Sequence, residues 1–214
     1  MELESLNATF VIDTFLLLLI GIGPKIALVP FLETTRQMPQ ATQRRVLRKM
    51  LITAATVAVL LLILGGLLTR LLHFSPGALG VASGIILLII AITMVLGQSN
   101  GNDSRPAEDR DPMQLAVFPL AVPYLLNPAG IVVLVTASAE AASVSVVAVV
   151  VGILVVILAL DVAVFRWAVQ VSSHLDASRM LVTEKVFGFL LAALAVQLVL
   201  NGLSDVGVIH LTGH

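Results

Sequence analysis

Apolar residues gather in six long runs along the chain, and polar residues are confined mainly to the short stretches between them. The runs cover residues 10–32, 50–69, 78–97, 115–136, 144–167 and 183–203. Each is close to the roughly 20 residues that a helix needs to cross the hydrocarbon core of a bilayer. They are apolar around most of a helical circumference, as helices in lipid or in a bundle core must be. They do not alternate apolar with polar, which excludes a transmembrane barrel. The pattern predicts an all-α membrane protein with six transmembrane helices. The opening Met1-Glu2-Leu3-Glu4 has no basic region, so the first run is expected to act as its own targeting signal and to be retained.

The polar connections set an orientation. Arg36, Arg44, Arg45, Arg48 and Lys49 fall between runs one and two, Arg105 and Arg110 between three and four. Arg166, Arg179 and Lys185 flank the connection between five and six. These share one side, Arg70 lies on the other, and Lys25 is inside a run. Basic flanks stay in the cytoplasm, so both termini are expected outside. The connection at 98–112, QSNGNDSRPAEDRDP, is polar and rich in turn formers. It reads as a flexible cytoplasmic linker between two units, residues 1–97 and 113–214.

Those units align without gaps at an offset of 104, which sets Gly23-Pro24 on Asn127-Pro128. The same offset sets Gly84 on Gly188, Leu87 on Leu191, Ala91 on Ala195, Val95 on Val199 and Thr93 on Gln197. Three spans per unit is an odd number, so the second unit enters the membrane from the opposite side. The expectation is a 3+3 inverted-topology repeat, a ground plan of many secondary transporters.

Runs one and four are interrupted near their middles, by Gly21-Ile22-Gly23-Pro24-Lys25 and by Asn127-Pro128-Ala129-Gly130. Proline lacks an N–H and its ring clashes with the carbonyl four residues back. Pro24 should free the carbonyl of Ile20, and Pro128 that of Tyr124. In hydrocarbon a freed carbonyl must face protein, water or a bound solute. A new half-helix starts after each break, and its first amides, at 25–27 and 129–131, present the positive end of a dipole suited to a carboxylate. Ordinary kinks satisfied by neighbouring helices are the competing reading; two breaks at equivalent positions of a repeat favour a site. The candidate solute-binding residues are therefore Gly23, Pro24, Lys25, Asn127, Pro128, Ala129 and Gly130, with Thr93 and Gln197 from the repeat-related third and sixth spans.

Lys25 either snorkels to the cytoplasmic headgroups or lies in the site, where it needs a neutralising partner. Asp161, in the cytoplasmic half of span five, is the candidate partner; otherwise it is an interfacial carboxylate near Arg166. Asp13 and Glu33 lie at the ends of span one and are read as solvated. Gln197 and Asn201 share a helix face, to line the site or to bond between helices. An ammonium carries the charge of a sodium ion and donates three hydrogen bonds. Lys25 is thus expected to stand in for a sodium ion, making transport sodium-independent, with a proton as coupling ion.

Composition narrows the function further. Apolar residues make up 58% of the chain and charged ones 12%, against about 45–50% and 25% in soluble domains. The net charge of −1 gives no basic field for nucleic acid. Without cysteine there is no disulfide, thiolate metal site or cysteine nucleophile. His73, His174, His210 and His214 fall in connections or tails, and no HExxH, GxSxG or nucleotide-binding motif is present. An enzyme is not expected, nor a metal or cofactor.

Three segments resemble the MarC family of six-span membrane proteins. Phe118-Pro-Leu-Ala-Val-Pro123 followed by Asn127-Pro-Ala-Gly130 is similar to the family's fourth segment, Glu184–Gly202 to its closing segment, and Pro76-Gly77 through Gly84 to the entry of its third. The chain departs from the family pattern at Gly23, at Lys25, and at Asn127 and Ala129. The resemblance implies a prokaryotic cytoplasmic-membrane protein related to small amino-acid carriers and exporters. The expected function is a secondary transporter of a small zwitterionic solute, a neutral amino acid, bound at the midplane between the breaks. The alternative is a non-transporting structural or regulatory membrane protein. The lipid bilayer and the solute are the expected partners, and assembly into a homo-oligomer is compatible with the pattern.

Overall fold

The computed structural model describes residues 8–96, 111–140, 144–171 and 177–209. Most of the expected linker, residues 98–110, lies outside the described residues, as do His174, His210 and His214. Its last two residues already belong to a helix start, where Asp111 Oδ1 accepts from the Met113 amide at 2.9 Å.

Helices α1 (Ala8–Gly21) and α2 (Pro24–Thr35) occupy the first apolar run. Helix α3 (Gln40–Leu72) is longer than its run. Its 33 residues span about 50 Å at 1.5 Å per residue, well beyond a hydrocarbon core of about 30 Å. The excess is its basic first turns, where Arg44, Arg45, Arg48 and Lys49 are exposed while Val46, Leu47 and Met50 are buried. Helix α4 (Pro76–Leu96) starts on a proline whose missing N–H costs no helical bond, and Ser75 Oγ accepts from the Ala78 amide at 3.1 Å. After one turn of α5 (Pro112–Leu115), residues Ala116–Leu125 wind irregularly. Phe118 and Val122 are extended there (φ −136° and −135°). Each precedes a proline, and the ring disfavours the α conformation in the residue before it. Helices α6 (Pro128–Glu140), α7 (Val144–Val171) and α8 (Ala177–Asp205) complete the chain.

Four of these helices, α3, α4, α7 and α8, are long and apolar enough to cross a membrane. Residues 11–21, 112–125 and 128–139 form shorter apolar segments. Ile63, Leu71, Ile89, Val155 and Phe189 are among many large apolar side chains left exposed, the surface that lipid covers in a membrane protein.

Two apolar clusters hold the molecule. The larger joins α1, α2, α3, the 116–125 stretch, α6 and α7. The smaller joins α4 and α8, with Ile26 of α2, and Tyr124 packs against both. The α4–α8 pair packs more extensively than any other, because glycines let the backbones approach. A Cβ on Gly84 would lie 2.6 Å from Val199 Cγ2 and 2.7 Å from the Ala195 oxygen. A Cβ on Gly188 would lie 2.8 Å from Val95 Cγ2 and 3.3 Å from the Ala91 oxygen. A shift of 104 converts the first set of contacts into the second. Residue numbers rise along α4 as they fall along α8, from Gly77 beside Gly202 to Val95 beside Gly188, so the pair is antiparallel.

Candidate functional site

Two residues, Ile22 and Gly23, separate α1 from α2; another two, Leu126 and Asn127, separate the 116–125 stretch from α6. These separations cross one another. Ile22 and Leu126 form an antiparallel bridge. The Gly23 amide donates to the Leu125 oxygen at 3.3 Å, and the Asn127 amide to the Gly21 oxygen at 3.0 Å. The offset of 104 turns one of these bonds into the other and sets Ile22 on Leu126. Gly21 and Gly130 sit backbone against backbone: a Cβ on either would collide with the other's main chain.

Asn127 pins the crossing. It is 1% exposed. Its Nδ2 donates to the Ile20 oxygen at 2.8 Å, which is the carbonyl that Pro24 is expected to free. Its Oδ1 accepts from the Gly130 amide at 3.1 Å, and its own carbonyl accepts from Ile131 at 3.1 Å. The start of α6 is thereby capped by its own chain. The start of α2 differs. Gly23 offers no side-chain cap, Pro24 has no donor to lose, and Lys25 follows it half-buried. The sequence predicts two equivalent half-helix ends facing a solute. The structure leaves only the α2 end without a side-chain cap, because Asn127 takes up what Gly23 cannot.

The remaining candidates are more dispersed. Pro128 opens α6, and Ala129 is buried between it and Gly130. Thr93 is half-buried on α4 and its Oγ1 donates to the Ile90 oxygen at 2.7 Å. Gln197 is exposed on α8 and its Nε2 donates to Asn201 Oδ1 at 2.7 Å. The hydrogen bonds of both therefore stay on their own helices. Asp161 is fully buried on α7, and neither of its oxygens has a hydrogen-bond partner. The structure thus brings neither the Lys25 ammonium nor Arg166 onto it. Asp13 and Glu33 are exposed.

Sequence reasoning placed Gly21 in the first interruption and singled out the Ile20 carbonyl, but missed that Leu125 and Leu126 meet this segment through their backbones. The signal was available in the offset, which sets Ile22 on Leu126, but it marks apolar residues whose side chains have no site chemistry.

Comparison with known proteins adds the family context. The pattern of the "MarC family integral membrane protein" matches residues 8–206. A UPF0056 membrane protein of Bacillus subtilis is 28% identical over 91% of this chain and 94% of its own. One from the archaeon Methanocaldococcus jannaschii is 26% identical over 85% of this chain and 90% of its own. One from Escherichia coli is 21% identical over 85% and 86%. No solved structure matches significantly.

Proposed function

The chain belongs to the MarC family of integral membrane proteins, and from that premise we propose that it is a secondary carrier of a small zwitterionic solute, a neutral amino acid, bound beside the crossing of its two interruptions. The observation that carries the proposal is the crossing itself: two chain segments 104 residues apart meet through bonds that interchange under that same offset. In this reading α1 with α2, and the 112–125 segment with α6, are two interrupted spans. With the four long helices they make six, arranged as a 3+3 inverted repeat, the plan in which carriers bind solutes at the repeat interface. The antiparallel α4–α8 pair and its interchanging glycine contacts support it. The uncapped first turn of α2 and the half-buried Lys25 are suited to the solute carboxylate. The bacterial and archaeal relatives, both membrane proteins by name, support a place in a prokaryotic membrane, and the distribution of Lys and Arg supports both termini outside.

One observation favours the second reading, a structural or regulatory protein. Asn127 satisfies the Ile20 carbonyl from within the chain, as a plain kink would require. Thermal stability of the purified protein against each of the twenty amino acids separates the two. A carrier is stabilised by about 2.7 kcal/mol at a solute concentration 100 times its Kd, and Lys25→Met reduces that stabilisation. A flat response to all twenty removes the carrier proposal.

A further inference from the structure

Asp161 is the one buried carboxyl among the described residues with resolved side-chain exposure. It shares the buried face of α7 with Leu154, Ile157, Phe165 and Ala168. One turn beyond it, the Phe165 ring meets Phe31 of α2 edge-on, with centroids 5.3 Å apart. Helices α1, α2, α3 and α6 pack on α7. Their charged groups lie elsewhere: Asp13 on α1, Glu33 on α2, and Arg44, Arg45, Arg48, Lys49 and Arg70 on α3 are exposed, as is Arg166 of α7 itself. Lys25 on α2 is half-buried and is not bonded to either Asp161 oxygen; the side chain of Glu140, which ends α6, lies outside those described. The buried polar side chains of these elements, Thr14, Thr35, Gln43 and Asn127, do not reach Asp161 either.

A sealed carboxyl with no donor and no counter-ion cannot be sustained as an anion, whereas the neutral acid carries no charge to solvate. The unpartnered carboxylate oxygens call for a cation, and the surroundings choose which. A metal ion needs several oxygen ligands. No group of three or more acidic, histidine or cysteine residues occurs among the described residues, and the neighbours on this face are hydrocarbon. An organic ammonium needs volume that a side chain with no exposed surface does not leave. A proton needs neither.

We propose that Asp161 is a proton-binding site, loaded as the neutral acid in this closed packing and emptied when α7 parts from α1 and α2 and water reaches it. The O–H bond then breaks, the proton passes to water and the carboxylate is left hydrated. In the carrier, that step ties solute movement to proton movement; this coupling rests on the carrier reading, while the loaded acid does not.

Infrared spectroscopy of the wild-type protein in a maltoside detergent, which has no carbonyl group, at neutral pH tests the acid directly. Exposed carboxyls are ionised there, so a carboxylic-acid C=O band is expected from Asp161 and is lost in Asp161→Asn. Its absence from the wild-type protein, or its survival in the variant, overturns the proposal, and the wild-type measurement stands even if the variant does not fold. Proteoliposomes given an equimolar mixture of the twenty tritiated amino acids test the coupling. Wild-type accumulation is expected to rise several-fold with an imposed proton gradient, and the response is lost in Asp161→Asn. A response that persists in the variant overturns the coupling. No wild-type uptake under any gradient overturns the carrier reading instead, and the infrared band still decides the proton site.

Discussion

Asn127 is the residue on which the crossing depends most, because a single carboxamide serves two backbone groups on different segments, one buried and one part-buried. Truncating it leaves the Ile20 carbonyl unsatisfied, at about 1–3 kcal/mol, and uncaps α6, at about 0.5–2 kcal/mol. Asn127→Ala is therefore expected to lower the thermal midpoint of the purified protein clearly. Asn127→Asp keeps an acceptor for the Gly130 amide but sets a second oxygen against that of Ile20, and should destabilise despite its near-identical shape. Midpoints unchanged in both variants would mean that neither bond holds the crossing. The sequence marks Asn127, through its place before a proline, as part of a break. It cannot show the bond to Ile20, since the partners lie 107 positions apart and a carbonyl has no signature in sequence. Asp161 shows the converse: its position in an apolar run is legible, but its isolation from every donor depends on five packed helices.

Helices were legible where their limits are set by local chemistry. Pro24 and Pro128 open the half-helices expected after the two interruptions, as a residue without an N–H can at little cost, whereas Pro76 and Pro112 open helices ahead of the runs at 78 and 115. The stretch at 116–125 falls in the fourth apolar run, where the pattern predicts helix. Its departure from helical form follows from Phe118 and Val122, which proline neighbours drive into extended conformations. Helix α3 escaped at its start for a different reason: an apolar run ends where the membrane ends, while Arg, Lys and Gln continue a helix readily into water. Glycine spacing, by contrast, says nothing of what each glycine touches. Gly21 meets the backbone of Gly130, whereas a Cβ on Gly152 would meet nothing within 4 Å. Gly21→Ala is thus expected to force the two segments apart and lower the yield of folded, monodisperse protein in detergent. Gly152→Ala, by adding helix propensity of up to about 1 kcal/mol, should leave it unchanged or higher. Equal behaviour of the two variants on gel filtration would argue that the close approach at Gly21 is not required.

At the scale of the whole molecule, two arrangements of the interrupted segments can be compared: they cross the membrane, or they dip into it and return. If both returned, only α3, α4, α7 and α8 would cross. With only those four crossing, α4 and α8 would run in the same direction, yet they pack antiparallel. That chain would also leave Arg166, Arg179 and Lys185 outside with Arg70, against the bias that keeps basic flanks in the cytoplasm. Six crossings answer both points. They make α4 and α8 antiparallel and place ten of the twelve basic residues on one side. The run pattern and the charges make six crossings the expectation from sequence; the pairing of α4 with α8 is not legible there, because it rests on glycine contacts between distant helices. The two arrangements predict different termini: outside for six crossings, cytoplasmic with the 98–112 linker for four. The chain has no cysteine, so single cysteines can be introduced by Ser5→Cys, Ser104→Cys and Thr212→Cys, all outside the described residues. In intact cells an impermeant thiol reagent is expected to label the first and the last, and to reach position 104 only after permeabilisation. Termini that stay unlabelled until the cells are opened would leave four crossings, and would require the α4–α8 packing to be reconsidered along with the count.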